Sequence, residues 1–189
     1  MRLSEKVNKE ILPALAKEMK VPILSLPTIE KLTLNVGLSQ YKEQKEAIEY
    51  IGKELMMISG QKPRKTLAKK SISGFKVREK QQVGFSVTLR KQRMWDFIER
   101  FVSIVLPRLR DFDGISPKSF DNSMNFTIGV KEQTIFPEVK ADEIKHNWGM
   151  AITVKMKNTQ NKDLTRDLLK KVGFIFKEDS LAVQPKAKK

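Results

Sequence analysis

Four carboxylates, Asp111, Asp113, Glu132 and Glu138, are the side chains whose type and spacing come nearest to a reactive constellation. Brought together, two of them could serve as general acid and base or hold Mg²⁺. No nucleophile or activated base accompanies them, so ion pairing with neighbours such as Arg108 and Arg110 is the expected use. His146 is the single histidine and the chain has no cysteine. That excludes multi-histidine metal sites, Cys-ligated zinc, thiolate nucleophiles and disulfides together. The glycines form neither a GxGxxG nor a Walker-type GxxxxGK pattern, so nothing supports a nucleotide cradle. The expectation is a chain that is not an enzyme, with no cofactor, no metal and no small-molecule substrate.

Binding chemistry has far more material. The chain carries 37 Lys and Arg against 22 Asp and Glu, a formal charge of +15 that repels itself unless a polyanion or an acidic surface neutralises it. Charge alone leaves nucleic acid, an acidic membrane and an acidic protein all open. The charge is also focused. Residues 61–100 hold twelve cations (Lys62, Arg64, Lys65, Lys69, Lys70, Lys76, Arg78, Lys80, Arg90, Lys91, Arg93, Arg100) against Glu79, Asp96 and Glu99, whereas residues 41–60 hold three cations and four acids. A basic loop docking on an acidic partner protein is the competing explanation. With 40% hydrophobic residues the chain should fold rather than act as a disordered basic tail. It has no apolar run of the ~20 residues a membrane span needs, nor the apolar stretch of a signal peptide near its start, so no membrane partner is expected.

These side chains need elements to position them. Val7, Ile11, Leu15 and Met19 form a helical stripe interrupted by Pro13, which predicts a kinked helix or two short ones. After Pro22 and Pro27, Leu32, Leu34 and Val36 alternate with Lys31, Thr33 and Asn35 as in a half-buried strand. Ala47, Ile48, Ile51, Leu55 and Ile58 make a second helix that Gly60 stops. Val83 to Leu89 alternate again. Met94, Phe97, Ile98, Phe101 and Val105 make a third helix that Pro107 is expected to end. Two further strands run through Phe126–Val130 and Met150–Val154, and Leu164, Leu168 and Val172 predict a last helix closed by Gly173. One-faced strands and one-faced helices predict a two-layer α+β domain, helices packed on one face of a mainly antiparallel sheet and the other face open. Residues 1–176 are read as one domain and 177–189 as a basic tail.

If the four strands share a sheet, its open face carries Lys31, Thr33, Asn35, Gly84, Ser86, Thr88, Arg90, Thr127, Gly129, Lys131, Thr153 and Lys155, with no acid among them. Hydroxyls, an amide, glycines that permit close approach and spaced cations suit phosphate and ribose oxygens. The face has no Phe, Tyr or Trp, so it lacks the platform on which single-strand binders stack bases at roughly 1–3 kcal/mol each. A folded RNA read by shape and backbone fits better. The segment from Lys69 to Gln82 could form a long exposed arm.

Four segments in order, SGQKPRKT at 59–66, VTLRKQRMWDF at 87–97, LPRLRDFDG at 106–114 and EQTIFPEV at 132–139, resemble the ribosomal protein L5 family of the large subunit. The agreement runs from about Pro27 to Gly173. The resemblance implies a five-stranded antiparallel sheet and a structural role in binding 5S rRNA and attaching it to 23S rRNA in the central protuberance. It implies 5S contacts at Asn35, Gln61, Thr88 and Arg90, with Lys62 and Arg64 beside them in the same motif. Lys31, Thr33, Ser86 and Lys131 are possible further contacts from the open face. Ser71, Gly74, Phe75, Lys76 and Arg78 resemble the family's loop toward the P-site tRNA, and a small-subunit head protein would be met across the intersubunit bridge. The location implied is a ribosome, cytoplasmic or organellar. Where the family has Gly-Arg-Gly-Asn after Phe120-Asp121, this chain has Asn122-Ser123-Met124-Asn125. Asn122 could take the positive φ of a lost glycine, whereas Met124 has no such latitude.

Overall fold

A computed structural model describes residues 2–109, 112–116, 119–140, 144–159 and 162–177. Arg110, Asp111 and the tail from residue 178 therefore lie outside the described residues. Five strands, β1 (Thr28–Gly37), β2 (Arg64–Leu67), β3 (Gln82–Leu89), β4 (Phe126–Val130) and β5 (Met150–Lys157), form one antiparallel sheet in the order β2-β3-β1-β5-β4. Four of them stand where alternation places them. β2 carries no such signal, because all four of its residues are exposed and nothing apolar marks a buried side.

The helices cover one face, on which Leu32, Leu34, Phe85, Val87, Phe126, Ile128, Ile152 and Val154 are buried. α1 runs Leu3–Lys6, Val7–Ile11 and Leu12–Met19, and α2 spans Lys45–Ser59. α3 runs Lys91–Arg100, Phe101–Val105 and Leu106–Arg108, and α4 spans Lys162–Val172. α2 ends where Gly60 takes φ 64°, and its Gly52 lies against the Phe85 ring of β3. The core continues from the sheet through Val7, Ile11 and Leu15 of α1 to Phe97, Phe101 and Val105 of α3 and Leu168, Leu169 and Val172 of α4.

The prolines do less damage than expected. Pro13 does not split its helix, and α3 runs through Pro107 to Arg108 instead of ending there. In both helices the turn before the proline is π-helical, Val7–Ile11 and Phe101–Val105, closed by bonds from Leu12 N to Val7 O and from Leu106 N to Phe101 O. A proline lacks the donor for the carbonyl four residues back, and its ring strikes that carbonyl. Here those carbonyls belong to Lys9 and Ser103, the middle residues of the two π turns, where the wider winding moves them aside.

A buried polar network ties the segment after β4 to α2. Glu54, 4% exposed, accepts from the Trp148 indole N–H at 2.6 Å and from the Tyr50 hydroxyl at 2.6 Å. Gln133, fully buried, accepts from Trp148 N at 2.9 Å and donates to His146 O at 2.7 Å. The His146 ring meets Tyr41 and Tyr50 edge to face. The histidine is thus partly packed, and Trp148 is core.

The departure at 122–125 resolves differently from expectation. The positive φ, 57°, falls on Met124 and not on Asn122. The Asp121 carboxylate accepts from Ser123 N at 2.9 Å, Asn125 N at 2.8 Å and Asn125 Nδ2 at 2.8 Å, which clamps the turn. A left-handed non-glycine costs roughly 1–2 kcal/mol, and burying the Met124 side chain to 3% exposure offsets it. Asn125 Oδ1 then accepts from Met156 N, fastening the turn to β5.

Two outcomes follow from these networks. Glu54→Ala should lower unfolding free energy in urea by about 2–4 kcal/mol, since it leaves a cavity and a buried indole N–H without its acceptor. Glu54→Gln, whose amide oxygen still accepts, should lose less than half as much. Partial burial raises the Asp121 pKa, but the bonds from Asn125 and Ser123 outweigh it and hold the carboxyl below its ordinary value. A lowered folded pKa contributes stability above the unfolded value, lost as pH falls through the folded one, so Asp121→Asn should flatten the acid limb of the stability curve below about pH 4.

Candidate nucleic-acid interface

Register, not proximity in sequence, assembles the open face. Residues facing each other across an antiparallel pair share a side of the sheet, so each set of partners forms a row across the strands. One row reads Arg64, Ser86, Asn35, Ala151, Gly129. The next reads Thr88, Thr33, Thr153, Thr127, and the third pairs Lys31 with Lys155. Arg90, just past the end of β3, extends the cationic side and is exposed. Asn35 and Arg64 are exposed, and Thr33, Ser86 and Thr88 are half-buried.

Gln61 is brought to this face by the end of α2. The Ser59 hydroxyl lies within hydrogen-bond distance of Leu55 O and Gln61 O, and Gln61 N donates to it. The Gln61 side-chain amide donates to Thr88 O at 3.3 Å, which sets Gln61 beside the threonine row. Lys62 is exposed next to it. Asn35, Gln61, Arg64, Thr88 and Arg90 thus cluster at the β2-β3-β1 side. Lys131 does not join them. It lies exposed beyond the end of β4, the opposite edge strand, at a hollow it shares with Arg108 and Glu132.

Three features escaped the sequence. β2, the strand that carries Arg64, adds Thr66 to the face, and Thr66 fills the space above Gly84: a Cβ there would lie 2.6 Å from Val36 O and 2.9 Å from Thr66 Oγ1. The close approach that Gly84 permits is therefore to its own chain, while Gly129 is open. Second, a β-bulge between Ile29 and Lys31 leaves Glu30 unpaired, and it reaches Lys155 Nζ at 3.1 Å, so this end of the face carries an acid. Third, Lys157, opposite Thr28, continues the cations past the bulge. No period-two pattern reports a bulge; a charged residue out of step with the alternation is the only trace. The hydrogen bond from Lys155 lowers the Glu30 pKa against desolvation, and the Lys155, Lys31 and Lys157 charges add to that lowering.

The 69–82 segment is exposed along most of its length and is folded on itself as a loop. Ile72 and Val77 bridge, Ser73–Phe75 form one 3₁₀ turn, the Ser71 hydroxyl donates to Val77 O, and Lys42 Nζ donates to Phe75 O at 2.9 Å. Lys76 and Lys80 hold positive φ. Arg78 N donates to Gln81 Oε1, and space above Gly74 is open. Phe75 is 71% exposed, an aromatic among cations and off the sheet face. The acids first considered for catalysis find other partners: Glu138 pairs with Arg100, Asp113 with Lys177 at 3.2 Å, and Glu132 accepts from Thr134. Arg108 is not among these partners, and Arg110 and Asp111 lie outside the described residues. Among the described residues no group of acids and His146 could hold a metal.

Two family models match the chain, that for ribosomal protein L5 over residues 23–78 and that for the C-terminus of the ribosomal L5 family over residues 82–176. The chain is similar to the large ribosomal subunit protein uL5 of Caldanaerobacter subterraneus subsp. tengcongensis, 44% identical over 176 residues that cover 93% of this chain and 98% of that protein. The uL5 proteins of Clostridium acetobutylicum and Idiomarina loihiensis are each 42% identical, over 93% and 94% of this chain and 97% and 99% of theirs.

The bulge makes one ion pair separable from the rest of the face. Lys155→Ala should move the Glu30 carboxyl titration, followed by carbon NMR, up toward the ordinary glutamate value. An unmoved titration would mean that Lys155 does not hold Glu30 in solution.

Proposed function

The chain belongs to the ribosomal protein L5 family, and from that premise we propose that the open face of its sheet binds 5S rRNA. Membership makes it a structural, non-catalytic constituent of the large ribosomal subunit, a ribosome-bound cytoplasmic protein like its bacterial relatives, with ribosomal RNA as partner. The observation that carries the finer reading is the shared register of Arg64, Ser86, Asn35, Thr88 and Thr33, with Gln61 bonded to the Thr88 carbonyl. Asn35 and Gln61 both donate and accept, Thr88 offers a hydroxyl, and Arg64 and Arg90 meet phosphates with charge-assisted bonds. With no aromatic among them, these groups suit backbone and shape in a folded RNA.

In this reading the face secures 5S rRNA, and the remaining basic surface helps attach it to 23S rRNA in the central protuberance. The folded loop at 69–82, with Phe75 exposed beside Lys69, Lys70, Lys76 and Arg78, is the part that reaches toward the P-site tRNA and toward a small-subunit head protein. Its exposure and charge support that role.

Asn35→Ala combined with Arg90→Ala should weaken binding of a 5S rRNA transcript by about 2–4 kcal/mol, a loss of roughly thirtyfold or more, since one neutral and one charge-assisted hydrogen bond disappear. The salt dependence measured by filter binding should lose about one unit of slope with Arg90. Undiminished affinity and slope would move the 5S site off this face.

A further inference from the structure

Resting on that RNA-binding reading, we propose that the row Thr88, Thr33, Thr153, Thr127 reads the 2′-hydroxyls of an A-form minor groove and so selects ribose over deoxyribose. The register makes the row continuous across four strands: Thr88 faces Thr33, Thr33 faces Thr153, and Thr153 faces Thr127. At about 4.8 Å between neighbouring strands the four hydroxyls span about 14 Å in a line across the strands. Nothing in the line is charged. The charges stand on either side of it, Lys31 and Lys155 in the neighbouring row toward the bulge and Arg64 in the row on the other side.

That arrangement matches a groove better than a single phosphate rail. A phosphate oxygen only accepts, and lysine or arginine within the row would have held it more strongly than a neutral hydroxyl. A 2′-hydroxyl donates and accepts, and so does threonine. Thr127 Oγ1 and Thr153 Oγ1 lie 2.9 Å apart, so one of their two protons is shared between them, which leaves the other proton and the remaining lone pairs for a ligand. A wide, shallow minor groove lined by 2′-hydroxyls and bordered by phosphates presents the complementary order, neutral in the middle and anionic at the sides.

The test uses the full chain and two 5S rRNA transcripts, one native and one with 2′-fluoro pyrimidines, which keep A-form geometry and lack the hydroxyl donor. The wild-type chain should bind the native transcript about tenfold more tightly. Thr33→Val, Thr88→Val, Thr127→Val and Thr153→Val together should bind both equally, and the corresponding quadruple change to Ser should restore the preference; valine keeps shape and strand propensity, and thermal unfolding checks that the sheet is intact. A wild-type chain without preference, or a valine variant that keeps it, overturns the assignment of the hydroxyls. If that happens while Asn35→Ala plus Arg90→Ala still weakens 5S binding roughly thirtyfold or more, only this inference falls. If neither set changes binding, the sheet face is not the RNA surface and both readings fall.

Discussion

A pleated strand sends successive side chains to opposite faces, and in this sheet one face is sealed by four helices. A slip of one residue in any strand would bury Thr33, Asn35 or Thr153 and expose Leu34 or Ile152, so the hydrophobic side holds the register. The polar side inherits that precision without contributing to it. The alignment of Asn35 with Ser86 and Arg64, and of four threonines in a line, is thus enforced from below by the packing of Leu32, Leu34, Val87 and Ile152. The open face can then be neutral or cationic throughout most of its area, because the offsets of its strands are held from the buried side.

Where the chain departs from regular structure, a local compensation keeps the scaffold continuous. The two prolines inside helices are absorbed by π turns, each centred on the carbonyl that the proline ring would otherwise strike. Met124 accepts a left-handed backbone because the Asp121 carboxylate ties three neighbouring N–H groups and the methionine side chain is buried. Glu54 is buried with the Trp148 indole and the Tyr50 hydroxyl as donors, which anchors the long segment after β4 to α2. Unpaired, such a carboxylate would be costly in the core; satisfied, it fixes one arrangement of the segment.

The cations are arranged in two ways. Those of the sheet and its β2 edge border neutral rows and are held by strands. Those of the 69–82 loop share it with an exposed aromatic ring, Phe75, and are held by a small hairpin-like fold with Lys42 bonded to the Phe75 carbonyl. A sheet face without aromatics suits a folded RNA, whereas Phe75 gives the loop a surface that the sheet lacks.

Alternation and helical spacing were enough, by themselves, to determine four strands, four helices and the polarity of the sheet, because burial on one side imposes a period that any chain with a one-faced core must display. The chemistry of the open face, including Asn35, Thr88 and Arg90, was legible for the same reason. β2 was not legible by pattern: an edge strand exposed on all four residues has no buried side to leave a signature. Only tertiary structure decided that Thr66 fills the space over Gly84, that a bulge sets Glu30 against Lys155, and that Gln61 reaches the Thr88 carbonyl. These depend on which residues stand opposite one another between segments far apart in the chain, and a period along one strand carries no information about its neighbour's offset.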